Sequence, residues 1–323
     1  MEKKPKIHLL EHKLKQDPHD YGLADEPWNI KNFKKEFQIT VVRKSNMELE
    51  FDLIHCYPSF ANAFRRLIIS EVPSMAIEKV HIFNNTSIMQ DEVLAHRLGL
   101  IPLKADPRLF EYKFEGDDET QDNCLEFELK IKCTKGKDAL ASFDGRNDKV
   151  FSDQIKWLPK GNQANIYKDE DVGPIEKDIL INKLRPGHEL DLKLIAVKGV
   201  GKDHAKFSPV ATAFYRLLPD VVLTKKVIGD DAKRLQSCFS PNVIGIDDRE
   251  RAYVKSARYD MCSRNVYRHE DLVDAVEMSR IRDHFIFTIE SVGAMKPEDI
   301  FVEAVKILKE KCQKLLKEIQ PKT

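Results

Sequence analysis

The chain has 323 residues, 42% of them hydrophobic and 33% charged, and its 53 basic side chains balance 53 acidic ones. That length and apolar content provide for a core divided over two or three domains, and zero formal net charge argues against a protein whose main task is gripping nucleic acid. No run of 18 apolar residues occurs, so no transmembrane helix and no membrane partner are expected, and MEKKPKIHLLEHKLK at the start lacks the apolar segment of a secretory signal.

Residues 1–35 are polar, carry Pro5, Pro18 and Pro27, and read as an extended, partly disordered arm. Phe37, Ile39 and Val41 then alternate with polar positions, as do Leu49, Phe51 and Leu53, with Lys44-Ser45-Asn46 between them, which predicts a β-hairpin. SFANAFRRLIISEVP, residues 59–73, predicts a helix with Ser59 as N-cap and Pro73 as its stop. Its apolar stripe is Phe60, Ala63, Phe64, Leu67 and Ile68. Arg65 and Arg66 leave that helix about 100° apart and cannot share a face, so either both are solvated or one supports the fold while the other reaches a partner.

Val80 and Ile82 predict a strand closed by Asn84-Asn85-Thr86-Ser87, followed by a short helix, DEVLAHRLG, with Gly99 as its C-terminal stop, and then by the extended IPLKADP. Residues 115–122 are acidic and read as a solvated loop. Leu125, Phe127, Leu129, Ile131 and Cys133 alternate strictly and give the strongest strand signal in the chain. Residues 134–175 look loop-rich, with WLP at 157–159 as a local anchor. Further strands are expected at Leu190–Leu194 and at Val210–Arg216, on the two sides of a polar loop, KGVGKDHAKFSP. Residues 229–282 are mixed and polar, with one possible helix near 270–280, and Phe285, Phe287 and Ile289 mark a last strand.

The chain ends on PEDIFVEAVKILKEKCQKLLKEI, residues 297–319. Phe301, Ala304, Val305, Leu308, Cys312, Leu315, Leu316 and Ile319 recur at helical spacing, Pro297 suits the first helical position, and Glu298 and Asp299 suit the positive end of the helix dipole. Such a stripe needs a surface to cover. It either packs on the chain's own sheet or belongs in part to another chain. Strands and helices do not alternate regularly, so the fold class is α+β rather than doubly wound.

Signatures of catalysis are absent from the sequence. Lys198-Gly199-Val200-Gly201-Lys202 suggests a phosphate loop, but Ala196 stands where a glycine is required and Asp203 where a serine or threonine is. The cysteines Cys56, Cys124, Cys133, Cys238, Cys262 and Cys312 stand singly, without a Cys-x-x-Cys pair, and spacing gives no zinc site. Reduced thiols in a cytosolic or nuclear protein are the simplest reading. His204 and His96 have no partner at a catalytic spacing.

Residues 60–103, FANAFRRLIISEVPSMAIEKVHIFNNTSIMQDEVLAHRLGLIPL, closely resemble the signature of the α-like subunits of DNA-directed RNA polymerases. GVGKDHAKFSPVATAFYRLLPD at 199–220 and DHFIFTIESVGAMKPEDIFVEAVKILKEK at 283–311 agree with the same family, in the same order. The likeness runs from about Phe37 to Ile319 and is nearest to the type shared by eukaryotic RNA polymerases I and III, related to the archaeal D subunit and the bacterial α N-terminal domain.

The resemblance implies a discontinuous dimerisation domain (36–72 and 283–323, a sheet plus two long helices), a mostly β inserted domain (73–228), a further polar lobe (229–282) and the N-terminal arm (1–35). It implies that Phe60, Ala63, Phe64, Leu67 and Ile68 pack beside Phe301, Val305, Leu308, Cys312 and Leu315, and that the helices of a small α-like partner complete the arrangement. It places the heterodimer on the second-largest polymerase subunit, with a small zinc-binding subunit alongside, and matches Arg65 and Arg66 to the family's arginine pair, whose second member faces the large subunit. The implied function is a non-catalytic assembly subunit in the nucleus and nucleolus, supporting rRNA, 5S rRNA and tRNA synthesis. Magnesium would sit on the catalytic subunits, and this chain would carry no cofactor and have little or no nucleic-acid contact. The polymerase II relative holds zinc in a cysteine cluster after the IPL segment, where this chain has only Cys124; Cys238 and Cys262 are too few for the iron–sulfur cluster of some archaeal relatives. The alternatives are the equivalent polymerase II subunit, or a stand-alone nucleic-acid-binding protein using Lys198, Lys202, His204 and Lys206, against which the absence of an aromatic stacking motif weighs.

Overall fold

The computed structural model describes residues 6–16, 29–114, 116–135, 145–168 and 170–319. The chain forms two compact units, each built from three separate segments. The first comprises 1–43, 50–62 and 214–288, and the second 44–49, 63–213 and 289–323.

The first unit is built on a sheet in the order Leu14–Gln16, Lys6–Leu9, Val276–Ser291, Glu48–Ile54, Gln38–Lys44, with Val210–Leu223 also pairing with Val276–Ser291. Phe51 stacks on Phe287 (5.2 Å between centroids), and Tyr215 meets Phe285 edge-on at 5.5 Å. Part of the expected arm therefore belongs to the sheet: Lys6 pairs with Ile281 and His8 with Ser279. Lys6 also forms an ion pair with Asp220 (2.6 Å), and the Tyr267 hydroxyl donates to the Leu9 carbonyl. Its last part is not extended either: Ile30–Glu36 is a helix, capped by the Asn29 side chain, which accepts the Lys31 N–H at 2.9 Å; residues 1–5 and 17–28 lie outside the described residues.

Residues 229–282 are less polar than their composition suggests. The helix Asp230–Cys238 buries Ala232, Leu235 and Cys238, spaced three apart, and joins a core with Leu9, Val221, Val243, Val266 and Met278. The helix expected over 270–280 is limited to Glu270–Val273. Val276 already opens a 16-residue strand, because pairing with Lys6–Leu9 holds 279–281 extended whatever their local preference.

The second unit holds a four-stranded antiparallel sheet, ordered Lys156–Leu158, Cys124–Lys132, Glu189–Val200, Pro73–Asn85. Leu194 lies opposite both Phe127 and Val80. The strict alternation read at 125–133 has a direct cause: Leu125, Phe127, Leu129, Ile131 and Cys133 all enter one core with Leu190, Leu192, Leu194, Ile77, Leu94 and Leu98. Gly99 is not a left-handed stop but the last residue of the helix Asp91–Gly99; an added Cβ would lie 3.4 Å from the Ile77 carbonyl oxygen.

The glycines of the polar loop are likewise packing residues. The strand Glu189–Val200 runs through Lys198 and Gly199, and the turn begins only at Gly201. A Cβ on Gly199 would meet the Phe207 ring at 2.7 Å, and one on Gly201 would meet the Ile69 carbonyl oxygen at 2.2 Å. The motif lets a β-turn press against the end of a helix, with the Lys202 N–H donating to the Ser70 carbonyl at 2.8 Å.

Candidate functional site

The arginine-bearing helix spans Pro58–Ser70. It starts one residue before the Ser59 cap expected from sequence, because Pro58 has the φ of a first helical turn and the Tyr57 carbonyl accepts the N–H groups of Phe60 (3.0 Å) and Ala61 (3.3 Å). At the other end the N–H groups of Glu71 and Val72 both turn back to the Leu67 carbonyl, at 2.9 and 3.1 Å, before Pro73 opens the next strand. Leu67 and Ile68 are buried, as is Ala61; Phe60, Ala63 and Phe64 are half-buried. Arg65 is half-buried and engaged within the chain, whereas Arg66 is exposed.

The C-terminal helix spans Pro297–Ile319, with the bounds read from sequence. Its first half is fastened. Pro297, Ile300 and Ala304 are buried, and Phe301 meets Phe64 edge-to-face at 5.2 Å. Glu298 pairs with Lys44 at 2.8 Å, and Asp299 lies 3.7 Å from Arg108, itself paired with Asp106 at 2.6 Å. Lys44 beside Glu298 holds that carboxyl below the usual glutamate range. Leu308 is half-buried and Val305 is 40% exposed.

Past Lys311, which reaches back to Glu71, the support ends. Every residue from 311 to 319 is exposed, including Cys312, Leu315 (56%), Leu316 (60%) and Ile319 (76%). The apolar stripe is thus half interior and half bare. Of the residues singled out on it, the structure brings Phe64 and Phe301 into contact, puts Leu67 and Ile68 in the interior, and leaves Val305, Cys312 and Leu315 open. Leu316 and Ile319 extend the bare surface, and their helical spacing already marked them.

The basic cluster of the nucleic-acid reading is mostly occupied within the chain. The Lys198 ammonium donates to the Phe110 carbonyl at 2.9 Å and lies 4.7 Å from the Tyr112 ring centroid, and burial pulls it below the ordinary lysine range. Lys206 donates to the Ile77 carbonyl at 2.9 Å and pairs with Glu78. Lys202 and His204 are exposed, too little for a groove that tracks phosphates. Cys124 is buried, with its thiol donating to the Thr120 carbonyl at 3.2 Å.

What decides the family is that residues 50–312 match the model of the RNA polymerase Rpb3/Rpb11 dimerisation domain. The chain belongs to the Rpb3/Rpb11 dimerisation-domain family. It is 47% identical over 311 residues to the DNA-directed RNA polymerases I and III subunit RPAC1 of Mus musculus, covering 94% of this chain and 90% of that one. It is 48% identical over 302 residues to the RPAC1 subunit of Saccharomyces cerevisiae, covering 90% of each. Identity to the RNA polymerase II subunit rpb3 of Dictyostelium discoideum is lower, 33% over 301 residues, covering 87% of this chain and 94% of that one. The Rpb3/Rpb11 match takes in the whole arginine helix and the C-terminal helix as far as Cys312, and the bare residues Leu315, Leu316 and Ile319 follow directly after it.

Proposed function

We propose that this chain is a non-catalytic assembly subunit of DNA-dependent RNA polymerases I and III in the nucleus and nucleolus, supporting rRNA, 5S rRNA and tRNA synthesis. It pairs with a small α-like subunit along the helix Pro297–Ile319 and docks on the second-largest subunit through the face that carries Arg66, with a small zinc-binding subunit alongside. It carries no metal or cofactor of its own; magnesium belongs to the catalytic subunits. The observation that carries the pairing is the change along one helix, from buried at Pro297, Ile300 and Ala304, through half-buried Leu308, to exposed at every residue of 311–319. A long apolar row that the chain itself covers only in part needs a partner to cover the rest. The polymerase I and III assignment rests on 46–48% identity to the mammalian and yeast RPAC1 subunits against 33% to a polymerase II subunit.

The test is co-purification of this chain with a co-expressed small α-like subunit. Leu315→Asp should abolish pairing while leaving the chain's own fold intact, since Leu315 contacts no interior. Lys314→Asp, one position round the helix, is the control and should pair normally. Normal pairing by Leu315→Asp would refute this interface.

A further inference from the structure

A second feature lies in the second unit. The strands Lys149–Phe151 and Leu180–Lys183 form a ladder, with Lys149 opposite Lys183 and Phe151 opposite Leu180. The pairing continues through the Ser152 N–H to the Ile179 carbonyl (3.0 Å) and the Asp153 N–H to the Lys177 carbonyl (3.2 Å), and then the two chains part. One side runs into Lys156–Leu158, the outermost strand of the four-stranded sheet. The other becomes Gly173–Pro174, which pairs outward with Leu103–Lys104, and the Ile175 N–H is taken by the Pro102 carbonyl at 3.0 Å. Between them opens a cleft of about 660 Å³, the size of a small-ligand site.

We propose that this fork receives an extended peptide segment of another chain, with apolar and acidic side chains in alternation, added to the free edge of Lys156–Leu158. An outermost strand leaves alternate N–H and C=O groups without a ladder partner, and an inserted strand resumes the pairing that stops at Asp153. The opposite wall cannot compete for that register, because Pro174 has no N–H and that of Ile175 is already used. Alternate side chains of an extended peptide point to opposite sides. One row meets the apolar lining of Ile155, Val172 and Ile175; the other meets the rim, where Lys104, Lys156 and Lys177 face Asp153 and Glu170. Lys104 already donates to the Glu170 carbonyl (2.6 Å), whereas Lys156 and Lys177 have no carboxylate partner among the described residues. Trp157 also lines the cleft; its Nε1–H is shut off from solvent and has no acceptor among the described residues, so it is the rest of the indole that reports on what enters. This proposal stands independently of the polymerase assignment.

Trp157 provides the readout. The chain has two tryptophans, so Trp28→Phe leaves Trp157 as the sole emitter. The full-length variant, held at the low concentration that emission permits so that its bare helix end does not drive association, is titrated with three ligands: the capped peptide Asp-Val-Glu-Ile-Asp-Val, its Lys-Val-Lys-Ile-Lys-Val counterpart, and a mixed-sequence single-stranded oligonucleotide. The expected result is a saturable change in emission with the acidic peptide alone, weakened tenfold or more by Lys156→Glu with Lys177→Glu, and slowed hydrogen exchange at the amides of 156–158. Both lysines are exposed, so reversing them leaves the fold in place. No saturable change, an equal response to the basic peptide or the oligonucleotide, or unchanged binding by the double variant would overturn the proposal.

Discussion

Arg258 holds the first unit together at a point that sequence reading did not reach. Its guanidinium meets Asp52 at 2.9 Å and Glu50 at 3.0 Å, and Asp52 also accepts from His284 Nε2 at 3.0 Å. Burial alone would raise the Asp52 carboxyl, but Arg258 and His284 together bring it below the ordinary aspartate value. Asp260, whose carboxyl burial pushes up, runs the other way. A depressed carboxylate contributes stability that is whole above its unfolded value and is lost as pH falls through the folded one. Unfolding followed against pH should therefore show the Asp52 contribution falling away below about pH 4, with Asp260 partly offsetting it by taking up a proton in the folded state. Arg258→Ala should destabilise by on the order of 3 kcal/mol at neutral pH, by leaving two carboxylates without their cation, and should flatten that acid limb; an unchanged denaturation midpoint would contradict it. The partners lie more than 200 positions apart, which no local pattern encodes. Gly201→Ala is a second case: its Cβ would overlap the Ile69 carbonyl oxygen at 2.2 Å, and a loss of roughly 1–3 kcal/mol in chemical denaturation is expected. The exposed Arg66 is different again. Arg66→Ala should leave stability and pairing with the small subunit unchanged while weakening recovery of the second-largest subunit in pull-down.

At the scale of elements, sequence was most informative where one face is buried and the other is wet. The C-terminal helix was legible to the residue because proline, an acidic first turn and a continuous stripe all agree on it. How much of that stripe the chain covers itself was not legible, since Phe301 and Leu315 look alike until Phe64 is seen against one and nothing against the other. The strand Gln38–Lys44 shows the opposite failure. Its alternating Ile39 and Val41 predict a buried face, yet every residue of it is exposed, as the outermost strand of its sheet. The bare end of the helix is the stronger candidate for burial on assembly: covering Leu315, Leu316 and Ile319 is worth about 1.5–3 kcal/mol each. Leu308→Asp is a poorer test than Leu315→Asp, because Leu308 is half-buried within the chain and its loss would disturb the fold as well.

For the molecule as a whole, the α+β class and the absence of a regular strand–helix alternation were readable, but the way three distant segments join in each unit was not. Strand order depends on contacts such as Lys6 with Ile281, which lie nearly the whole chain apart. An unpaired copy exposes the apolar end of the C-terminal helix together with Ile39, Val41 and Val42. Expressed alone, the chain should therefore be poorly soluble, and co-expression with the small α-like subunit should restore it; a monodisperse, soluble monomer on size exclusion would show that these surfaces need no cover.

The unsupported end of the C-terminal helix also bears on the lifetime of a copy that finds no partner. Eight consecutive exposed residues, 312–319, follow the Lys311–Glu71 ion pair. A helical end of that length is marginal in water on its own, so it opens and closes far more readily than the fastened half. Lysines line it at 314 and 317, each a cleavage site for trypsin whenever the turn opens. On the pairing proposed above, an orphan copy carries its own point of attack, and the small α-like subunit would cover the same residues. Timed trypsin digestion of the free chain and of the chain paired with the small α-like subunit tests this, with early loss of the terminus expected in the free form only.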